Sequence, residues 1–140
     1  MGNTARVIVI TGGSRGIGRA IALKFAEEKA KIIIVHYDPD EKAVDETLTR
    51  LSKLGVDAEG HKIDVSSYEA VSELFKDIAT RFGSVDVLVN NAGITKDTLI
   101  MRMPESDWDA VIQVNLKSVF NCTQQAVRLM IKQRRGAIIK

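Results

Sequence analysis

The residues Val7-Ile8-Val9-Ile10-Thr11-Gly12-Gly13-Ser14-Arg15-Gly16-Ile17-Gly18 read as a strand, a sharp turn and the opening of a helix, in that order. Val7 to Ile10 are β-branched without polar alternation. That is the pattern of a strand covered on both faces, and such strands belong to parallel sheets. From Arg15 to Lys29, Ile17, Ala20, Ile21, Leu23, Phe25 and Ala26 recur at helical spacing. A helix start presents unpaired N–H groups and a partial positive charge, both suited to phosphate. Glycines there let the backbone turn tightly and approach a pyrophosphate with no Cβ between. A phosphate-loop NTPase is excluded, because no Gly-Lys-Ser or Gly-Lys-Thr follows the turn.

The alternation continues along the chain. Ile32 to Val35 form a second apolar strand, closed by the turn former Asp38-Pro39-Asp40. Glu41 to Leu54 carries Val44, Leu48, Leu51 and Leu54 on one helical face. A weaker strand is expected at Ala58 to Ile63, ending at Asp64. Ser66 or Ser67 caps the next helix, which is striped by Val71, Leu74, Phe75, Ile78 and Phe82 and stopped by Gly83. Val85 to Val89 is a fourth strand, followed by the sharp turn Asn90-Asn91-Ala92-Gly93. A long helix is expected from Glu105 to Gln133, through Trp108, Val111, Ile112, Leu116, Val119, Phe120, Val127 and Met130. Gly136 breaks it, and Ala137-Ile138-Ile139 starts a fifth strand.

Strict strand–helix alternation predicts a doubly wound α/β fold, Rossmann or flavodoxin-like, with five parallel strands in the order 3-2-1-4-5. The order reverses between strands 1 and 4, and a ligand is expected in that crevice. Residues 1–140 are expected to form a single dinucleotide-binding domain that stops in or after strand 5.

Composition narrows the function classes. A chain of 140 residues with 45% hydrophobic and 27% charged residues is ordinary for one globular domain. Net charge is +2, and the densest basic run, Lys132, Arg134 and Arg135, falls where it would complement the last turn of a helix. No nucleic-acid partner is therefore expected. Cys122 is the only cysteine, which excludes an internal disulfide, and its apolar neighbours mark it as a core residue. The start, Met1 to Arg6, has no apolar signal core, and Arg6 breaks the myristoylation pattern. The longest apolar runs are strand-sized, far below the roughly 20 residues of a membrane helix. Asn121-Cys122-Thr123 matches a glycosylation sequon but falls mid-helix and is discarded. A cytoplasmic chain without membrane contact is expected, and no metal site.

Four features in order carry a resemblance: Gly12-x-x-x-Gly16-x-Gly18, Asp64-Val65 after the third strand, Asn90-Asn91-Ala92-Gly93 after the fourth, and Asn115 inside the long helix. With them the chain resembles the short-chain dehydrogenase/reductases over its whole length. The stretches Thr11–Gly18 and 91–99 are most similar to bacterial members that use NADPH to reduce a β-ketoacyl thioester carried on acyl-carrier protein. The resemblance implies that Gly12, Gly16 and Gly18 shape the phosphate turn, with Ser14 and Ile17 beside the cofactor. It implies that Asp64 accepts from the adenine amino group and that Val65 packs on the ring. Asn91, Ala92 and Gly93 would line the ribose and nicotinamide side, and Asn115 would order a proton-relay water through its backbone.

For cofactor choice, an acidic residue at the end of strand 2 would hold a ribose 2′-OH and repel a 2′-phosphate. His36 stands there instead, and Arg15 in the turn suits a 2′-phosphate. Asp38 argues the other way, but NADP(H) is favoured over NAD(H).

The family's catalytic Ser and its Tyr-x-x-x-Lys are not matched in these 140 residues. Neither Tyr37 nor Tyr68 is followed four positions on by Lys, and Lys140 stands where the family tends to a neutral polar residue. A positioned proton donor typically contributes ~10²–10⁴-fold, so the chain is expected to be catalytically incompetent. Lys29 replaces the family's preferred Gly at the end of helix 1, a place that often needs φ > 0. A bare fifth strand and partly uncovered Val119, Phe120 and Met130 predict a homo-oligomer, most simply a dimer through strand 5 or the long helix 105–133. Three readings stay open: an enzyme half with its cofactor site, a non-catalytic α/β folding or binding module that forms a homodimer, and a stretch of a complete enzyme whose catalytic residues lie downstream.

Overall fold

Five strands make one parallel sheet: β1 (Val7–Thr11), β2 (Lys31–His36), β3 (Ala58–Lys62), β4 (Val87–Asn90) and β5 (Ala137–Ile139). Their order is β3-β2-β1-β4-β5, the doubly wound order expected from the alternation. The structure is a computed structural model and describes residues 5–140. The signal-free start expected at residues 1–4 lies outside the described residues.

Strand β1 is central, with Val9 facing Ile33 of β2 on one side and Leu88 of β4 on the other. Its period of two divides the core. Val7 and Val9 join Ile33, Leu88 and the apolar stripes of α3 (Tyr68–Phe82) and α5 (Ser118–Gln133). Ile8 and Ile10 join Ile32, Ile34 and the faces of α1 (Gly16–Ala26) and α2 (Lys42–Lys53). Both faces of β1, β2 and β4 are buried, which is why their sequences show no alternation. Edge strand β3 is half exposed and reads Ala-Glu-Gly-His-Lys.

Local signals set most boundaries. Ser67 caps α3 by accepting from the Ala70 N–H, and Gly83 ends that helix with φ 75°. Helix α1 stops at Ala26, three residues before the expected end. The chain then tightens through i→i+3 bonds, and Lys29 takes φ 57°, the left-handed backbone anticipated at that position. Strand β4 begins at Val87 rather than Val85, because both backbone groups of Val85 are taken by the Gln133 side chain.

The long helical run departs most from expectation. Residues 105–133 are helical throughout, but α4 (Glu105–Ile112) passes into a π-helical segment (Gln113–Lys117) before α5. Arg134 and Arg135 lie beyond the last turn rather than in it. Arg134 is left-handed, and Arg135 reaches Asp86 at 3.3 Å. Met130 is buried, contrary to expectation, whereas Phe120 is 56% exposed. Among the described residues, no helix is long and apolar enough to cross a membrane.

Candidate functional site

The turns after β1, β2, β3 and β4 frame one cavity of about 430 Å³ at the crevice where strand order reverses. Its floor is a seam between β1 and β4. Thr11 Oγ1 accepts from the backbone N–H groups of Asn91 and Ala92, both at 3.0 Å. Asn91 Nδ2 donates to the Gly12 carbonyl at 3.0 Å. The glycine turn and the Asn-Ala-Gly turn are thereby held as one surface.

The start of α1 sits against this seam. A Cβ on Gly18 would stand 2.0 Å from the Gly12 carbonyl oxygen and 2.7 Å from Asn91 Nδ2, so only glycine lets the helix come this close. Gly16 meets a different demand: its φ is +59°, with open space around it. The open space at Gly16 and the exposed Ile17 side chain leave the helix N-terminus accessible to an anion.

Ser14 is buried, and its two polar ends are both held. Its hydroxyl donates to Asp38 Oδ2. Its carbonyl accepts from Thr47 Oγ1 at 2.5 Å and from Arg19 Nε and Nη2 at 3.3 and 3.2 Å. Arg19 also donates to Thr47 Oγ1 at 2.7 Å and to the Ala43 carbonyl at 3.2 Å, tying the turn to α2. Arg15 projects outward with Nη2 3.6 Å from Asp38 Oδ1. His36 ends β2 in the cavity wall, and its buried Nδ1 has no protein partner.

Opposite, Asp64 Oδ1 accepts from the Ser66 N–H at 2.9 Å and from Ser66 Oγ at 2.6 Å, which fixes the carboxylate. Val65 is buried beside it, and its carbonyl accepts from Asn121 Nδ2. Ala92 and Gly93 continue the wall. Asn115 lies one step away, in the π-helical segment. Its side chain brackets Ile94, accepting from the N–H at 2.8 Å and donating to the carbonyl at 3.0 Å. Such segments free backbone carbonyls from the regular ladder and recur at functional sites.

Gly12, Ser14, Arg15, His36, Asp64, Val65, Asn91, Ala92 and Gly93 therefore line one cavity. Gly16, Ile17 and Gly18 form its helix edge, and Asn115 supports it from behind. Thr11, Arg19, Thr47 and Ile94 carry no role in the sequence reading, yet they hold the site together. Thr11 stands in the quoted turn, but nothing local marks its hydroxyl as a partner for residues 80 positions on. Cys122 lies outside the cavity, where burial pushes its thiol up to about 12. No group of His, Cys, Asp and Glu that could hold a metal ion occurs among the described residues.

Comparison with known proteins adds a family pattern. The profile described as short chain dehydrogenase matches residues 6–140. The 3-oxoacyl-(acyl-carrier-protein) reductase of Staphylococcus epidermidis is 47% identical over 131 residues, 94% of this chain and 53% of the relative. The enzyme of the same name from Thermotoga maritima is 43% identical over 134 residues, covering 96% and 54%. The chain spans about half the length of the curated relatives it matches. A metagenomic short-chain oxidoreductase crystallised with NADP superposes with a TM-score of 0.89 at 33% identity, covering 96% of this chain and 60% of that one. NAD⁺-bound xylitol dehydrogenase superposes at 0.88 with 29% identity, covering 98% and 53%.

Proposed function

Because the chain belongs to the short-chain dehydrogenase family, we propose that its residues form the NADP(H)-binding part of a cytoplasmic reductase acting on β-ketoacyl thioesters of acyl-carrier protein. The observation that carries this reading is the stitched crevice itself. Gly18 lets the positive end of α1 close on the β1–β4 seam, leaving a cavity beside an exposed helix N-terminus, where a pyrophosphate is favoured. The relatives named as 3-oxoacyl reductases and the neighbour crystallised with NADP support the choice of substrate and cofactor.

When bound, the dinucleotide supplies the hydride. The chain's own residues bind and orient it. Gly12, Gly16 and Gly18 open the phosphate turn, and Ser14 and Ile17 flank it. Asp64, with Oδ1 engaged by Ser66, offers Oδ2 to an adenine amino group, and Val65 closes on the ring. Asn91, Ala92 and Gly93 line the ribose and nicotinamide side. Asn115 spends its side chain on Ile94, which leaves its backbone, in the π-helical turn, to position a water. Calorimetric titration of NADPH, with NADH as comparison, tests the site. Saturable binding is expected, and a folded chain that binds neither refutes the reading.

These 140 residues hold no Tyr followed four positions on by Lys. We infer that they bind cofactor without reducing substrate, since general acid catalysis needs a placed donor. Measurable oxidation of NADPH by a β-ketoacyl thioester would refute this. The non-catalytic module reading shares the same fold and is favoured by one observation: Leu116 and Phe120 are exposed side by side with Ile112 and Val119 around an apolar groove. We infer a second copy as the partner there, with β5 as the other candidate edge. Light scattering at micromolar concentration should give a dimer that Phe120→Asp converts to monomer. A monomeric parent chain refutes it.

A further inference from the structure

Several donors converge on one carbonyl of the glycine turn. The Ser14 oxygen accepts from Thr47 Oγ1 at 2.5 Å and from Arg19 Nε and Nη2 at 3.3 and 3.2 Å. The donors are themselves chained. Arg19 Nε makes its shorter bond, 2.7 Å, to Thr47 Oγ1, so the guanidinium polarises the hydroxyl that holds the carbonyl. Thr47 is fully buried in α2, and Arg19 is fixed further by the Ala43 carbonyl. A trans peptide points its C=O and its N–H in opposite directions, and the described chain has no cis bond. Fixing the Ser14 oxygen toward α2 therefore turns the Arg15 N–H away from α2. Among the described residues that N–H donates to no backbone acceptor and no capping side chain, and Ser14 and Arg15 both line the cavity.

We propose that Arg19 and Thr47 are positioning residues for the pyrophosphate of the dinucleotide, holding the Ser14–Arg15 peptide with its N–H toward the cavity and its oxygen out of it. This rests on the dinucleotide reading of the cavity. Neither side chain lines the cavity, and both act through the Ser14 carbonyl from the far side of the turn. Without them that oxygen is an unpaired acceptor in a residue only 3% exposed. Rotation of the peptide toward the cavity then gives it water. The same rotation puts a carbonyl dipole where an anion needs an N–H donor. Every nicotinamide dinucleotide carries the pyrophosphate, so the effect falls on NADPH and NADH alike.

The test is calorimetric titration of NADPH and NADH into the full chain and into Thr47→Val, Thr47→Ser, Arg19→Met and Leu48→Ala. Thr47→Val keeps the side-chain shape and removes the donor, whereas Thr47→Ser keeps the donor. Arg19→Met keeps an apolar stem without the guanidinium, and Leu48→Ala loosens the packing of α2 on the core without touching Ser14. Thr47→Val and Arg19→Met should each weaken both dinucleotides about tenfold, with the NADPH/NADH ratio unchanged. Thr47→Ser and Leu48→Ala should bind as the parent does. In nitrogen–proton correlation spectra, inorganic pyrophosphate should move the Arg15 amide signal of the parent but not that of Thr47→Val. Parent-like affinity in both Thr47→Val and Arg19→Met, or an equal loss in Leu48→Ala, overturns the proposal and leaves the dinucleotide site standing. Binding of neither dinucleotide to the folded parent overturns both.

Discussion

Replacing Gly18 with alanine probes the closest approach in the site. The added Cβ would lie 2.0 Å from the Gly12 carbonyl oxygen and 2.8 Å from its carbon, and 2.7 Å from Asn91 Nδ2. The Asn91 amide can rotate away, at the loss of its bond to Gly12, which is worth about 1 kcal/mol. The Gly12 carbonyl is backbone in the turn and cannot. Relief requires α1 to lift off the turn by more than an ångström, although Ala22 and Ala26 of that helix are packed in the core. Overpacking costs roughly 1–3 kcal/mol, and a clash with backbone belongs at the upper end, so the total is about 3–4 kcal/mol. At ~2.1 cal/mol/K of unfolding entropy per residue, Tm should fall by about 10–14 °C. Gly16→Ala is the control. It meets open space and only the strain of φ +59°, about 1 kcal/mol, and should lose about 3–4 °C. Thermal melts followed by circular dichroism measure both. Equal losses in the two variants would refute the argument that contact, rather than backbone strain, fixes glycine at position 18.

Other perturbations reach the rest of the fold. Arg81, His61 and Lys31 hold the Glu59 carboxyl down from 4.5 to about 2, so its contribution is present above about pH 4.5 and lost as pH falls toward 2. Glu59→Gln should lower the urea midpoint at pH 7 by an amount that vanishes near pH 2, and a constant difference across that range would contradict it. Lys29→Gly relieves φ 57° but loses the exposed bond from Nζ to the Leu54 carbonyl, so a net gain of about 0.5–1 kcal/mol is expected in denaturant unfolding; a lower midpoint would count against it. Cys122, with its thiol raised to about 12 by burial, should resist alkylation at pH 8 until the chain is unfolded. Rapid labelling of the native chain would show that α5 opens readily.

Much of this architecture is legible in the residues. Buried strands without alternation, the Ser67 cap, Gly83 and the left-handed Lys29 are each local consequences of side-chain chemistry, and the parallel order follows from their sequence. The π-helical segment is not legible, because residues 113–117 continue the apolar stripe of a regular helix. Its local partner, the Asn115–Ile94 pair, joins residues 21 apart. The core position of Met130 depends on the turn at Gly136, where an added Cβ would strike its side chain. In the site, the glycines announce the turn, but what Ser14 and Arg15 do depends on Asp38, which only the β2 register brings beside them. Beyond the Ser14 carbonyl, the partners of Thr11 and Arg19 lie 24 to 81 positions away and leave no spacing to read.

The β1–β4 seam also sets when this protein becomes able to bind anything. β1 and β2 are close in the chain and can associate early, whereas Thr11 and Asn91 meet only after a loop of 80 residues has closed. Contacts so distant form late, because the entropy of closure comes before their reward. During synthesis, the nascent chain would carry its whole glycine motif long before the motif has a wall to face. Competence should arrive in one step as β4 leaves the ribosome and docks, and a chain stalled before Asn91 should fold in part and capture no nucleotide.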